Sequence, residues 1–352
     1  MTRQQPAPAA TTRRFGIQFF TFFLAATFAA ASAFAQQPAT PAAPAPTSQP
    51  APAQAEPQPA AEGGEQADVH APTIVIKVNE VNLIFTVTDK HGHYNPNLKQ
   101  NDFALLDDQK APSKVNSFHQ QINLPMRVGI VIDASTSIRS RFQFEQQSAT
   151  AFLLDVLKAK SDRAFVMGFD VTPTVTADWT NDVDKLESGV ERLRPGGGTA
   201  LFDAVYTACR DKMLDVSRGQ EPVRKAIVLI SDGDDNQSRV YKDEAIKECQ
   251  RADTIIYAIS TNWTPSRGAG DQVLTQMASE TGGQAFFPPS VEQMTESFRS
   301  IETELRSQYA LTYTPADFKE DGSFRPIYLY CNDRHYQVRT RKGYFAPKPA
   351  KQ

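Results

Sequence analysis

Residues 126–137 read MRVGIVIDASTS. Val128, Ile130, Val131 and Ile132 make a short apolar run that stops abruptly at Asp133, and the residues after it are small and mostly polar. A run of this length and composition describes a strand buried on both faces, as in a parallel sheet, and the polar stop describes a loop at its carboxyl end. Open α/β sheets place their ligands at that edge. Asp133 offers a carboxylate, and Ser135 and Ser137 offer hydroxyls. These are hard oxygen donors suited to a small divalent cation that keeps part of its water.

Two later stretches bring further oxygens to the same kind of edge. Residues 194–201 read RPGGGTAL, a glycine turn that allows close backbone approach, followed by Thr199 at the start of a helical pattern. Residues 225–232 read KAIVLISD, a second wholly buried type of run that ends in Asp232, with Gly233, Asp234 and Asp235 forming the turn beyond it. D-x-S-x-S by itself also fits a turn with a helix cap. The three segments together are far more specific.

This order of Asp-x-Ser-x-Ser, Thr and Asp resembles the metal-ion-dependent adhesion site of von Willebrand factor type A domains, in particular the bacterial secreted, VWFA-related type. The resemblance implies a magnesium or manganese ion held by Asp133, Ser135, Ser137, Thr199 and Asp232. The serines would coordinate directly, Thr199 directly or through water, and the aspartates largely through water. It also implies a binding protein and not an enzyme, with an acidic side chain of a protein partner completing the ion's shell. Asp234 and Asp235 are expected as turn or rim residues. The alternative of a different class is a structural module whose metal merely staples the loops, with binding elsewhere.

Alternation of strands and helices extends across residues 123–308. Helices are expected at 142–159, 182–193, 200–216, 242–251, 272–280 and 291–308, and strands at 163–169, 174–179, 224–231, 254–260 and 284–287, the second of these at an antiparallel edge. The pattern predicts an α/β, doubly wound, mostly parallel, Rossmann-like sheet with helices on both faces. On either side the pattern is β: short candidates at 74–76, 81–88, 103–106 and 115–118 precede it, and 309–313, 326–330 and 336–340 follow. Residues 72–122 and 309–347 are therefore expected to form one smaller β-sandwich-like domain split by the inserted one. The tail ending in Arg341-Lys342-Gly343-Tyr344-Phe345 strengthens the resemblance.

The beginning of the chain reads differently. Arg13 and Arg14 precede an apolar run from 15 to about 31, and Ala33-Phe34-Ala35 has the small-x-small pattern of a cleavage site, so residues 1–35 are expected to be a secretory signal peptide. An uncleaved membrane anchor and twin-arginine export are the alternatives, and membrane contact is expected only through that segment if it is retained. Residues 36–71 are Pro, Ala and Gln with hardly an aromatic, a composition that cannot bury a core and describes a disordered tether. A secreted or periplasmic, cell-envelope location follows. Removing residues 1–35, which hold three arginines and no acid, takes the formal net charge from −3 to −6 and argues against nucleic acid as a partner. Cys209, Cys249 and Cys331 are too few for a disulfide framework; the first two are expected as small core residues, with a single bridge between two of the three left open.

Enzymatic readings lack their residues. No Gly-x-Gly-x-x-Gly follows the first strand, and the 196–198 glycine turn lacks the Lys-Ser/Thr of a phosphate loop. A magnesium-dependent phosphoryl-transfer enzyme with Asp133 as nucleophile would want a second acid in the same loop, and 134–137 offer none. Five histidines, His70, His91, His93, His119 and His335, all fall outside 126–308, so none serves as a base for Ser135 from within the domain. His91 and His93, with no Cys or acidic cluster nearby, are expected in a solvated turn.

Overall fold

The computed structural model describes residues 79–348, apart from 122–123, 140, 159, 215, 217–222 and 264–265. These belong to the second of two units into which the chain divides, Thr73–Gln352. The expected signal segment, the tether and the strand at 74–76 lie outside the described residues.

The run that ends at Asp133 is strand β4 (Met126–Asp133), named in chain order after β1 (Val81–Asp89), β2 (Phe103–Asp107) and β3 (Lys114–Gln121). It sits inside a six-stranded sheet with β5 (Arg163–Phe169), β6 (Pro173–Thr180), β7 (Arg224–Ser231), β8 (Ile255–Ser260) and β9 (Ala285–Phe286), ordered β6-β5-β4-β7-β8-β9. All pairings are parallel except β5 with the edge strand β6. Because β4 is flanked by β5 on one side and β7 on the other, the chain leaves it in one direction and returns on the other side. A crevice therefore opens at its carboxyl end.

Both faces of the sheet are covered, which is why these strands are continuous apolar runs and not alternating ones. Val128, Ile130 and Ile132 point to one face and pack with α1 (Phe142–Val156), α2 (Val183–Glu191) and α6 (Val291–Leu305) through Phe152, Leu153, Val190, Phe298 and Ile301. Val131, Ile227 and Leu229 point to the other and meet α3 (Leu201–Thr207), α4 (Lys242–Arg251) and α5 (Ala269–Thr281) through Leu201, Val205, Ile246 and Leu274. The period of two along a strand divides its side chains between the two layers.

Several helix boundaries differ from the sequence reading; the first helix ends at Val156 and not at 159, and the second runs Val183–Glu191. The helix after the glycine turn ends at Thr207 and continues as a wider turn over Ala208–Met213. The fifth begins at Ala269, three residues earlier than its apolar period indicates, because Asp271 accepts from the backbone of Gly268 and closes the helix start. The last ends at Leu305 and not at 308. Gln308 already pairs with Gln121 as the first residue of β10 (Gln308–Thr314), and its side chain donates to the Tyr257 hydroxyl at 3.3 Å. Tertiary pairing here overrides a local preference.

Cys209 and Cys249 are buried, as expected of core residues, yet they are also joined in a disulfide with Cα atoms 4.9 Å apart. The sequence reading left a single bridge between two of the three cysteines open without choosing a pair; the packing of the turn after α3 against α4 brings these two together. Cys331 is free and buried. Reduction of the bridge, or its replacement by two serines, is expected to cost about 2–4 kcal/mol. Urea unfolding with and without reductant measures this, and coincident midpoints would rule the bridge out as a stabilising link.

The flanking strands form two antiparallel sheets that enclose a separate core. One runs β12-β1-β10-β3, with β12 (Tyr336–Thr340), and the other β13-β11-β2, with β11 (Phe324–Cys331) and β13 (Gly343–Phe345). Leu83, Phe85 and Val87 of β1, Tyr309 and Leu311 of β10 and Ile327 and Leu329 of β11 alternate inward between them. Every one of these sheets pairs strands from before the α/β domain with strands from after it, so that domain is an insertion. The fold class is that predicted.

Candidate functional site

Asp133 closes β4 opposite Phe169, and Asp232 follows immediately on β7, the neighbouring parallel strand. Both carboxylates therefore emerge at the same edge. Asp133 is fully buried; the backbone N–H of Ser135 donates to its Oδ1 at 2.8 Å and Ser231 Oγ donates to its Oδ2 at 2.7 Å. The Ser135 and Ser137 hydroxyls are 2.9 Å apart, and Ser137 donates to Asp232 Oδ2 at 2.8 Å. One chain of hydroxyls thus bridges the first loop to the third, with Ser135 buried at its inner end and Ser137 exposed at its outer end.

The second loop is fastened to both. Gly196 N–H donates to Ala134 O at 2.7 Å, and Thr136 Oγ1 donates to Gly197 O at 2.9 Å. Gly197 has φ +66°, a conformation that excludes most side chains. Thr199 is buried in this loop; its carbonyl accepts from Asn236 and Gln237 N–H at 2.9 and 3.0 Å, and its own N–H donates to Asn236 Oδ1 at 2.9 Å. The third loop turns at Gly233, φ +85°, where a Cβ would come within 2.2 Å of the Gly270 carbonyl at the start of α5. Asp235 caps α3 by accepting from Phe202 N–H at 3.1 Å, and Asp234 lies exposed at the rim.

Hydrogen bonds thus link Asp133, Ser135, Ser137 and Asp232, and Thr199 joins them through its loop. Among the described residues no group of three or more His, Cys, Asp or Glu is placed to hold a metal ion. The candidate set has two carboxylates and three hydroxyls, an oxygen donor set for a hard cation, and it passes over Cys and His altogether. Burial pushes the Asp133 carboxyl up to about 6, against the hydrogen bonds of Ser135 and Ser231 and with Asp232 adding to the rise. A positive charge in the crevice would reverse that direction.

Two residues at this edge are absent from the sequence reading. Ser231 orients Asp133, and its position as the last residue of an apolar run, beside Asp232, was the available signal. Glu145 in α1 is fully buried with neither carboxylate oxygen hydrogen-bonded. Burial first, and then Asp133 and Asp232, push it up to about 8, while Arg141 works in the opposite direction.

These shifts set a pH dependence. A carboxyl that titrates higher in the folded than in the unfolded chain binds its proton more tightly when folded, so stability falls as pH rises from the unfolded value near 4 through the folded one. In EDTA the domain should therefore lose on the order of a few kcal/mol between pH 5 and pH 8. Glu145→Gln should flatten most of the upper part of that slope. Thermal melts across the interval test it, and a flat wild-type profile would contradict the burial argument.

A doubly wound sheet with Asp-x-Ser-x-Ser at the end of an inner strand, and Thr and Asp loops tied to it, defines a class of Rossmann-like α/β domains. The family model of the von Willebrand factor type A domain matches residues 128–300, and the chain carries such a domain. No curated protein matches the sequence. Solved structures with a similar fold include von Willebrand factor type A from Catenulispora acidiphila, 13% identical over 72% of this chain and 76% of that one with a TM-score of 0.43. The vWF domain of the type V pili tip protein Mfa5 from Porphyromonas gingivalis is 15% identical over 52% and 95%, with a TM-score of 0.42. The PilB minor pilin from Streptococcus sanguinis is 14% identical over 52% and 62%, with a TM-score of 0.41, so the match spans less than two thirds of that pilin.

Proposed function

We propose that this chain is an exported, divalent-cation-dependent protein-binding protein whose type A domain holds magnesium or manganese through Asp133, Ser135, Ser137, Thr199 and Asp232. The observation that carries the reading is the hydroxyl chain from Ser135 through Ser137 to Asp232, ending beside a buried, oriented Asp133. Ser135, Ser137 and Asp232 join the first loop to the third through side-chain oxygens, and the loops that bear them are fixed by backbone bonds and close glycine packing. Such preorganisation lowers the cost of closing the shell.

When bound, the cation supplies an electrophilic point for an anionic ligand. Two carboxylates balance a dication and the hydroxyls add no charge, so an acidic side chain of a protein partner is the complement. Ser137 and the half-buried Asp232 mark the solvent side, where that side chain would enter. No histidine falls between 126 and 308, and the residues around Ser135 are arranged as acceptors and donors for one another, which supports binding over catalysis. The Cys209–Cys249 bridge favours an oxidising compartment and so supports export. Among the described residues no helix is long and apolar enough to cross a membrane.

Capture of envelope proteins on the immobilised chain, compared in magnesium, in EDTA and with the Asp133→Ala variant, tests the function. Partners retained equally in all three conditions would transfer the binding surface away from the crevice and favour a metal that only staples the loops.

A further inference from the structure

The outer face of the β13-β11-β2 sheet carries side chains that folding does not explain. In a sheet packed on one side only, the outward positions are ordinarily polar. Along β11, Arg325, Ile327, Leu329 and Cys331 turn inward and are buried, while the alternate positions are Phe324, Pro326, Tyr328 and Tyr330. Phe324, Tyr328 and Tyr330 are 41%, 55% and 51% exposed. Tyr328 lies opposite Leu106 and Tyr330 opposite Ala104, so no charged residue interrupts the strip on the β2 side. At the rise of a strand, Phe324 to Tyr330 spans roughly 20 Å.

One end of the strip opens on a cavity. Phe345 of β13 lies opposite Phe324, with ring centroids 5.2 Å apart, and belongs to the wall of a cavity of about 500 Å³. Residues with planar polar side chains line it: Asn82, Gln250, Arg251, Asp253 and Arg341. Their charges are matched locally, since Arg341 donates to Asp253, and Arg251, stacked over Phe345 at 4.7 Å, pairs with Glu248 at 3.0 Å. Glu80 and Lys348 add one charge of each sign. An ionic ligand therefore gains little here, whereas a ligand with many neutral hydroxyls finds in-plane donors and acceptors beside exposed rings.

We propose that this surface binds an extended, uncharged polysaccharide, whose sugar rings stack on Phe324, Tyr328 and Tyr330 and whose hydroxyls bond to the polar wall of the cavity. Both halves fit a pyranose, which has apolar C–H faces and a rim of hydroxyls. Tyr and Phe offer flat apolar area at a small cost in side-chain freedom, and an exposed apolar strip of this kind marks a ligand surface. A straight strip on one strand suits a chain of flat, equatorially linked sugars better than a coiled one. None of Asp133, Ser135, Ser137, Thr199 and Asp232 contributes to the strip or the cavity, so this binding is independent of the cation reading.

Retention of the full chain on cellulose and on chitin, both uncharged and flat-chained, tests the proposal, with sedimentation to follow its state of association. The chain should bind at least one of the two, in EDTA as well as in magnesium. Tyr328→Ala combined with Tyr330→Ala should lower that affinity at least about tenfold, and Tyr328→Phe combined with Tyr330→Phe, which keeps the rings, should preserve it. Both side chains point outward, so the melting temperatures of the two variants should match wild type. Retention on neither glycan, equal retention of the alanine variant, or binding that requires the cation overturns the proposal. A wild-type dimer that the alanine variant separates overturns it too, since a second copy of the chain would then cover the strip.

Discussion

Replacing Asp133 by alanine should lower magnesium affinity at least about a hundredfold, equivalent to about 2.7 kcal/mol, and leave the domain folded. The size follows from charge: Asp133 is one of two carboxylates in the candidate set, and a neutral methyl leaves a dication facing three hydroxyls and a single acid. The fold survives because Asp133 stands at the end of β4, beyond the layers of Val128, Ile130 and Ile132 that hold the sheet to its helices. Two hydrogen bonds are lost, from Ser135 N–H and Ser231 Oγ, and an unsatisfied buried donor costs about 1–3 kcal/mol. Loss of a carboxyl whose burial pushes it up to about 6 offsets part of that. Calorimetric titration together with near-ultraviolet circular dichroism separates the two effects. Unchanged affinity in a folded variant would end the assignment of the site.

The second large effect belongs to the β domain. Asp107 of β2 and Arg325 of β11 are each 1% exposed; Arg325 Nε donates to Asp107 Oδ1 at 2.8 Å, and the Tyr313 and Tyr344 hydroxyls donate to Oδ2 at 2.7 and 2.9 Å. Asp317 takes a further bond from Arg325 at 3.0 Å. Asp107 is separated from its partners by more than 200 residues, so the cluster fastens the strand before the inserted domain to three strands after it. Asp107→Ala leaves a buried guanidinium without its main counter-charge and two tyrosine hydroxyls without an acceptor. The expected loss is about 3–5 kcal/mol in urea unfolding. Removing both charges together, as Asp107→Leu with Arg325→Met, should cost less than Asp107→Leu alone, because a buried pair is worth little against apolar replacements while a broken pair is expensive. A single-variant loss below about 1 kcal/mol would show that water reaches the cluster.

The sheet and its loop-bearing edge were legible in the chain's residue pattern. Apolar runs closed by Asp133 and Asp232 can be satisfied only by burial on both faces, and alternation with helical periods leaves a doubly wound arrangement as the solution. The alternating strands at both ends were legible for the same reason, since a period of two exposes one face and buries the other. Local pattern also contained the mark of Glu145, an acid in step with Phe142, Ala149 and Val156, although a stripe drawn from its apolar members alone passes over it.

Which distant groups meet follows from the packing of the assembled layers. That Cys209 reaches Cys249, that Ser231 holds Asp133, that Gln308 belongs to β10 and not to α6, and that Tyr313, Tyr344 and Arg325 converge on Asp107 are facts of packing between segments far apart in the chain. Sequence periodicity reports the environment of a residue, buried or exposed, because that depends on its own transfer from water. It contains no distance between two residues on different elements. A disulfide, a hydrogen bond or an ion pair depends on that distance to within a few tenths of an ångström, and the assembled layers alone set it.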